Sequence, residues 1–467
     1  MNVKEYMKNH LLYLDGGMGT LLQAAGMAAG ELPERRNLTH PENIVDIHRA
    51  YYDAGSNVVN TNTFGANTFK YEEDELQAVI RAAVSLARRA AAESSGVQEK
   101  FVALDIGPLG RLIKPYGTLD FEDAVEVFAK TVRIGVSCGV DMITIETMSD
   151  SLETKAALLA TKENSDLPVF VSNAYGADGK LMTGADPTAM IAMLEGLGAD
   201  AIGINCSLGP KQMQSVVRSY LEYASVPVLV KPNAGLPRVE GNTTYYDVTP
   251  AEFSEVMRDF VHNGARVVGG CCGTTPAHIL ALHDATKNDV PTPLVAPCGA
   301  LISSYNHAVE LGKSPVKLGT SLDPANAAVK AALSDADLDS LVDEAFEDVA
   351  CGARILQLNV AQPGIDETVM LPAALRELQS VINVPIMICS SDPIALEKAL
   401  RIYNGKAMVR LGDAAKLSAL LGVVKKYGAV VLCPSQEMYD VCISEAAACG
   451  LNPADIVLAD STIEYLD

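Results

Sequence analysis

Short apolar runs alternate with longer amphipathic segments along the first 290 residues of the chain. Eight of these runs have the length and β-branched character of buried strands; they cover 11–15, 57–61, 101–105, 141–146, 168–173, 200–205, 226–231 and 265–270. The segments 42–55, 123–139 and 250–264 have helical periodicity and each ends at a glycine, a common helix stop. Eight β-then-α units predict an α/β fold of the (β/α)8 TIM-barrel type. A doubly wound open sheet is the alternative, but it usually has fewer strands and a glycine-rich dinucleotide turn, which we do not find.

The predicted strands end in polar residues. In a (β/α)8 barrel the carboxyl ends of all strands face one mouth, where active sites are built. The residues at these ends are Asp15-Gly16-Gly17, Thr61, Asp105, Glu146-Thr147, Asn173, Asn205-Cys206, Lys231-Pro232-Asn233 and Cys271-Cys272. Residues far apart in sequence are therefore predicted to meet around one site.

Three cysteines at these strand ends predict a metal site. Cys206 follows the sixth strand, and Cys271 and Cys272 follow the eighth between glycines. Three thiolates without a fourth protein ligand are typical of a catalytic zinc with an open position. A buried hydrophobic role for Cys206 and a vicinal disulfide or redox switch for the adjacent pair are the alternatives. We expect Cys138, Cys351, Cys389 and Cys433 to be packing residues.

The remainder of the chain predicts a second α/β domain. A proline-containing linker, 291–314, separates a first domain at 1–290 from a second at 315–467. Strands are predicted at 316–322, 353–359, 384–390, 406–411, 428–434 and 455–460. Six strands cannot close an eight-stranded barrel, so this domain is predicted to be incomplete and barrel-like. Three explanations stay open: the chain is a fragment, another subunit covers the open edge, or the domain has become a smaller sheet.

Charge and composition restrict the class of partner. The 467 residues are 49% hydrophobic and carry a formal net charge of −22. This charge argues against nucleic acid or an anionic membrane surface as partner, because both are polyanions. No run is long enough to span a bilayer, the N-terminus lacks a signal-peptide core, and the cysteines do not form a secreted disulfide pattern. We therefore predict a cytoplasmic protein.

Five motifs resemble one enzyme family. They are LDGGMGTLLQ (14–23), NTNTFGAN (60–67), GINCSLGP (203–210), KPNAG (231–235) and GGCCGTTPAHI (269–279). The chain is similar here to zinc-dependent homocysteine S-methyltransferases, above all to the homocysteine-binding domain of cobalamin-dependent methionine synthases. The resemblance implies zinc on Cys206, Cys271 and Cys272, with the homocysteine thiol in the open position. It places the other substrate contacts on Asp15, Gly16, Gly17, Thr61, Glu146 and Asn233.

The second half resembles the pterin-binding domain of the same synthases, most clearly at 390–409. Several positions that bind the pterin in that family are changed here, to Gln357, Cys389 and Arg410. Asn359 and Asp392 are the possible remnants of the pterin site. Losing several polar groups at once removes the discrimination such a site needs, so we do not expect methyltetrahydrofolate to bind.

The resemblance leaves the methyl donor open. No Asp-x-His-x-x-Gly corrinoid signature is present. The first interpretation is therefore methylcobalamin on a separate corrinoid protein. A sulfonium donor such as S-methylmethionine is the alternative. A third interpretation makes the chain a non-folate-binding subunit of a larger methyltransfer assembly, with its second half as a docking surface. A zinc-free redox sensor is the alternative from another functional class.

Overall fold

The structure, a computed structural model, describes residues 1–28, 30–240, 243–294, 299–412 and 416–466. The chain divides into two compact units by its internal contacts. The first comprises Met1–Thr183 and Ala199–Val295, and the second Gly184–Gly198 and Ala296–Asp467. The domain bounds from the sequence stay a prediction.

The first unit contains a parallel sheet of eight strands. Its strands are β1 (Leu12–Tyr13), β2 (Val58–Asn60), β3 (Phe101–Ile106), β4 (Met142–Met148), β5 (Val169–Asn173), β6 (Ala201–Asn205), β7 (Val228–Lys231) and β10 (Val267–Val268). They follow the order β1-β10-β7-β6-β5-β4-β3-β2. A parallel bridge between Leu14 and Val58 joins the first strand to the last in this order. The predicted (β/α)8 barrel is thus confirmed. An antiparallel hairpin, β8 (Arg238–Glu240) with β9 (Thr243–Tyr245), follows β7 and was not predicted.

Helices alternate with the strands of the first barrel, and the first helix precedes the first strand. They are α1 (Val3–Met7), α2 (Met18–Ala24), α3 (Arg36–Thr39), α4 (Pro41–Asp53), α5 (Glu73–Glu93), α6 (Phe121–Ser137), α7 (Ser151–Asn164), α8 (Pro187–Gly196), α9 (Gln214–Tyr223), α10 (Pro250–His262) and α11 (Pro276–Thr286). Local sequence fixes their starts. Thr249 and Glu252 form a reciprocal capping box at the start of α10, with Pro250 at its first position. Among these helices, α8 groups with the second unit.

The barrel core lies toward the amino ends of the strands. Leu12, Val58 and Phe101 belong to it, and each begins its strand. Val3 and Met7 of α1 pack into the same cluster and are almost fully buried. Burying side chains of this size stabilises the fold by about 1.5–3 kcal/mol each. The polar residues lie at the opposite end of the barrel, at the carboxyl ends of the strands, and the candidate site is there.

The second unit has a parallel sheet of seven strands. They are β13 (Val316–Gly319), β14 (Ile355–Asn359), β15 (Ile386–Ser390), β16 (Met408–Leu411), β17 (Val430–Cys433), β18 (Ile456–Leu458) and β19 (Ile463–Tyr465). The helices are α12 (Ala327–Asp335), α13 (Leu338–Ala350), α14 (Glu367–Val381), α15 (Pro393–Ile402), α16 (Leu417–Tyr427), α17 (Gln436–Cys449) and α18 (Ala459–Thr462). A hairpin of β11 (Leu301–Ser303) and β12 (Ala308–Glu310) lies within the predicted linker.

The prediction of six strands was one short. The sheet order is β18-β17-β16-β15-β14-β13-β19, so the seventh strand, β19, pairs with β13 at the edge opposite β18. The strand was missed because its three residues, Ile-Glu-Tyr, include a single buried one and so form no apolar run. Only the short helix α18 connects these two edges. Five Cα steps of 3.8 Å span at most about 19 Å. The sheet therefore curves until its two edges approach each other, which confirms an incomplete, barrel-like second domain.

Candidate active site

The three predicted metal ligands come together. Cys206 directly follows β6, and Cys271 and Cys272 lie just beyond β10. All three are free cysteines, and their Sγ atoms lie within 4.8 Å of one another. The Sγ atoms of Cys206 and Cys272 are 3.9 Å apart. Tetrahedral zinc with Zn–S bonds of about 2.3 Å sets its sulfur ligands about 3.8 Å apart. The cluster therefore fits three corners of such a site.

One segment at the end of β7 fixes the backbone of all three cysteines. The N–H of Cys206 donates to the carbonyl of Lys231 at 3.1 Å, and that of Cys271 donates to Pro232 at 2.9 Å. The N–H of Ala234 donates to the carbonyl of Cys272 at 3.0 Å. The segment 231–234 thus holds two sequence-distant motifs in register with each other. This explains physically why the KPNAG motif accompanies the cysteine motifs.

Left-handed backbone surrounds the cysteines. Thr147, Cys206 and Ser207 have φ values of 63°, 59° and 59°. Such conformations cost about 1–3 kcal/mol each for non-glycine residues and are concentrated at functional sites. Asn205 stabilises the first of them, because its Oδ1 accepts from the Thr147 N–H at 2.7 Å and its Nδ2 donates to Thr147 Oγ1 at 2.7 Å. The same Nδ2 lies 3.7 Å from the sulfur of Cys271. Asn205 therefore orients a metal-ligand candidate.

Beside the cysteines lies a buried group of charges, which we call the acid cradle: Asp15, Asp105, Glu146 and Lys231. Lys231 and Asp15 are each 2% exposed, and the other two are also buried. The Lys231 ammonium lies 2.7 Å from Glu146 Oε2 and 3.7 Å from Asp15 Oδ1. Asn60 joins the two acids, since its N–H donates to Asp15 at 2.8 Å and its side-chain amide donates to Glu146 at 3.1 Å. Lys231 thus contacts two of the three carboxyl groups, those of Glu146 and Asp15.

The cradle is short of hydrogen-bond donors. Four buried oxygens around it have no hydrogen-bond partner among the described residues, namely Oδ1 of Asp15, Asn60, Asp105 and Asn233. All four are acceptors. An unsatisfied buried polar group costs about 1–3 kcal/mol. The arrangement is therefore complementary to a ligand group rich in donors, such as an ammonium.

Burial raises the pKa of two of these carboxyl groups, Asp15 and Asp105. It raises the pKa of Asp15 to about 7, although Lys231 and the Asn60 N–H act in the opposite direction. The pKa of Asp105 is raised well above its usual range by burial and then by the neighbouring Glu146. Burial alone lowers the pKa of Lys231, but Glu146 and Asp15 outweigh it, so this pKa is raised overall and the lysine stays charged. A bound cation would favour the ionised acids.

The other predicted substrate residues lie at the same mouth. A Cβ on Gly16 would lie 2.5 Å from Thr274 Oγ1, so only glycine fits there. We predicted that the Gly16-Gly17 turn binds a substrate carboxylate, but the N–H of Gly17 already donates to the carbonyl of Thr274 at 3.3 Å and to its hydroxyl at 3.2 Å. Its role toward a carboxylate stays a prediction. Thr61 accepts from the N–H of Asp105 at 3.2 Å and so supports the cradle.

Sequence reasoning missed part of this site. Asp105 and Asn205 were recognised only as polar strand ends, and Asn60 was not singled out. Lys231 was read as part of a motif, without a role. A signal existed for Lys231, because it is the single charge ending the apolar run VPVLVK and a buried lysine needs an acidic partner. Nothing in the sequence shows that Glu146 and Asp15 are that partner.

The corresponding strand ends of the second unit bond among themselves. Asp323 Oδ2 accepts from Gln357 at 3.0 Å and from Asn359 at 2.9 Å, and its Oδ1 accepts from the N–H of Ala325 at 2.9 Å. Asp392 caps α15 by accepting from the N–H of Ile394 at 2.9 Å. Both possible pterin-site remnants thus have partners within the chain.

The remaining cysteines divide by burial. Cys433 is buried, as predicted for a packing residue, while Cys138 and Cys389 are half-buried. Cys351 was predicted wrongly, because it is exposed at the C-cap of α13. Burial raises the pKa of the Cys389 thiol to about 12, with Arg410 acting in the opposite direction.

Comparison with known proteins assigns the chain to a family. Residues 12–286 match the family model described as homocysteine S-methyltransferase. Because the match covers more than half of the chain, the protein belongs to the homocysteine S-methyltransferase family, a family of methyltransferase enzymes. The predicted family is thereby confirmed.

Two curated relatives extend the similarity into the second unit. The methionine synthase of Mycobacterium tuberculosis (strain ATCC 25618 / H37Rv) is 28% identical over 455 residues, and that of Mycobacterium leprae (strain TN) is 29% identical over 460 residues. Each alignment covers 92% of this chain. The chain spans 38% of the length of each of these relatives.

Solved structures support the fold of the first unit. The metallated form of the homocysteine methyltransferase MmuM from Escherichia coli aligns with a TM-score of 0.52 and 24% identity, covering 60% of this chain and 97% of that one. Its oxidized form gives 0.51 and 24%, covering 59% and 96%. At this identity the likeness concerns the fold alone. None of the described helices combines the length and apolar character that crossing a bilayer requires.

Proposed function

We propose that this protein transfers a methyl group to the thiol of homocysteine and so forms methionine. One observation carries the proposal: three free thiols spaced for a tetrahedral ion lie beside a buried, donor-deficient cradle. The thiols suit the reacting sulfur of the substrate, and the cradle suits its ammonium. Membership of the homocysteine S-methyltransferase family supports the same conclusion.

In this proposal Cys206, Cys271 and Cys272 hold a zinc ion. Bound zinc keeps a substrate thiol deprotonated at neutral pH, where a free thiol of pKa about 8.5 is mostly protonated. Asp15, Asp105 and Glu146 accept hydrogen bonds from the substrate ammonium and orient its side chain toward the cysteines. Thr61, Asn233 and the Gly16-Gly17 turn complete the substrate contacts. The carbon–sulfur bond forms as the bond between the methyl group and the donor breaks. The electron pair of the broken bond stays with the donor.

For the donor we propose methylcobalamin carried by a separate corrinoid protein. The alignment with a methionine synthase, which covers 92% of this chain, supports this choice. A sulfonium such as S-methylmethionine is the second candidate, and the internally bonded strand ends of the second unit favour it over methyltetrahydrofolate. We further propose two domains at 1–290 and 315–467 joined by a linker, and a cytoplasmic location.

The test is methionine formation from homocysteine by the zinc-loaded protein, with methylcobalamin and S-methylmethionine supplied in parallel. Turnover with methylcobalamin supports the corrinoid-dependent reaction. Turnover with the sulfonium alone supports the second candidate. Failure with both donors, although zinc is bound, would show that homocysteine is not the acceptor or that a further subunit is needed. Repeating the assay with the purified corrinoid partner separates these two outcomes.

A further inference from the structure

We propose that Lys231 is a positioning residue that makes the site select a thiol carrying an ammonium group. The inference rests on the proposed function and deepens it, because it assigns the amino-acid specificity to one side chain. Lys231 does not touch the substrate in this proposal. It acts through the carboxyl groups of Glu146 and Asp15, which its ammonium holds in place.

The geometry places Lys231 between the metal cluster and the cradle. Its carbonyl accepts from the N–H of Cys206, while its ammonium contacts Glu146 at 2.7 Å and approaches Asp15 at 3.7 Å. The Lys231 side chain is buried, so these contacts are shielded from bulk solvent. One residue thus fixes the distance between the thiol site, through its backbone, and the ammonium site, through its side chain.

The charges of the acid cradle indicate which ligand group it suits. The cradle has three carboxyl groups and one lysine, which forms ion pairs with Glu146 and Asp15. The Oδ1 atoms of Asp15 and Asp105 have no hydrogen-bond partner among the described residues, which points to a second cation. A buried ion pair adds little net stability compared with apolar residues of the same size. The arrangement is therefore better explained by specificity. Lys231 pairs most closely with Glu146, at 2.7 Å, and leaves acceptor oxygens of Asp15 and Asp105 for the ammonium of a ligand.

The test compares two ligands that differ only in the ammonium. Homocysteine and 4-mercaptobutyrate share the thiol, the carboxylate and the chain length. Their binding to the zinc-loaded protein is measured by calorimetry, together with zinc content. In Lys231→Met the backbone bond to Cys206 stays, so zinc content should be unchanged. Homocysteine affinity should fall by about 10- to 100-fold, as expected for misplaced binding groups, and 4-mercaptobutyrate affinity should not.

A matched control exists in the second unit. Lys406 is also buried and contacts Asp455 at 2.6 Å, so Lys406→Met removes a comparable ion pair away from the cradle. It should leave the preference for homocysteine intact. Lys231→Arg keeps the charge and should restore part of the preference. If Lys231→Met does not fold, Lys231→Met with Glu146→Gln removes the pair together and should bind both thiols alike.

The outcomes separate this inference from the proposed function. A Lys231→Met protein, or the double variant, that still prefers homocysteine as strongly as the unmodified protein overturns the positioning role only. An unmodified protein that binds zinc but not homocysteine overturns the proposed function, and the role of Lys231 with it. Equal loss of both ligands in Lys231→Met shows a merely structural role and also overturns the inference.

Discussion

Both parallel sheets of this protein carry polar residues at the carboxyl ends of their strands, but the two sets differ in how far their hydrogen-bonding capacity is met. At the first, Asp15, Asp105 and Asn233 keep buried oxygens that accept no hydrogen bond from the described residues. At the second, Asp323 is satisfied by three hydrogen bonds from the chain itself. Unpaired acceptors do occur in the second unit, on Gln362 and Asn404. Gln362 follows β14 and Asn404 precedes β16, so the two residues lie at opposite ends of the parallel sheet.

Backbone strain follows the same division. Of the four described non-glycine residues with positive φ, Thr147, Cys206 and Ser207 lie at the first site, and the fourth, Ala336, caps a helix. A fold keeps such strain and such unsatisfied groups only where the rest of the structure enforces them. Polar strand ends alone therefore do not identify a site. Unmet hydrogen-bonding capacity together with strain does.

Removing a thiol from the first site should have the largest effect. Cys272→Ala leaves two sulfur ligands, and we expect zinc to be lost and methyl transfer to fall by more than about 1000-fold, because oxyanion- or thiolate-stabilising groups are each worth several kcal/mol. Zinc content and methionine formation measure this. The matched control is Cys389→Ala, the strand-end cysteine of the second sheet, which should retain both. Full activity in Cys272→Ala would refute the metal site.

Replacing Asp105, the acid of the cradle without an ion pair to Lys231, should have the next largest effect. Asp105→Asn keeps the shape of the side chain, and its support from Thr61 and Thr63 runs through the Asp105 backbone. We expect KM for homocysteine to rise by about 10- to 100-fold with little change in kcat, as for lost uniform binding. Asp323→Asn makes the same change at the second sheet and should leave KM as it is. An unchanged KM in Asp105→Asn would place the ammonium elsewhere.

Much of the architecture and the meeting of the three cysteines could be predicted from the sequence. Strands with apolar runs and glycine-flanked thiols are local signals, so the eight barrel strands and the motif around Cys271 could be read directly. The acid cradle could not. Its content depends on which side chains face each other across the barrel, as Lys231 and Glu146 do, and on which oxygens remain unpaired. The three-residue β19 is missed because its pairing with β13 joins distant parts of the chain.

A buried acid outside the cradle tests whether burial alone explains the perturbed carboxyl groups. Burial raises the pKa of Glu153 to about 7, opposed by the hydrogen bond from the N–H of Leu109. The folded pKa lies above the unfolded value of about 4.3. This group therefore contributes stability below about pH 4.3 and loses it as the pH rises toward 7.

Glu153→Gln should remove that pH dependence. At about 1.4 kcal/mol per pKa unit, the variant should be more stable than the unmodified protein by up to roughly 4 kcal/mol above pH 7, and no more stable near pH 4. Urea unfolding followed by circular dichroism across this range measures the difference. KM for homocysteine should not change. A stability gain that is independent of pH would show that the carboxyl group is not the cause.

The smallest effect is expected at the second sheet, where the comparison is most easily broken. Gln357→Ala removes one of the bonds to Asp323, whose two other donors, Asn359 and the Ala325 N–H, remain. We expect stability to fall by about 1 kcal/mol, the net value of one hydrogen bond. Homocysteine methylation with methylcobalamin should stay within about twofold, since these groups bond to one another. A loss of activity at unchanged stability would mean that the second sheet also serves the reaction, and that satisfied strand ends can still form a site.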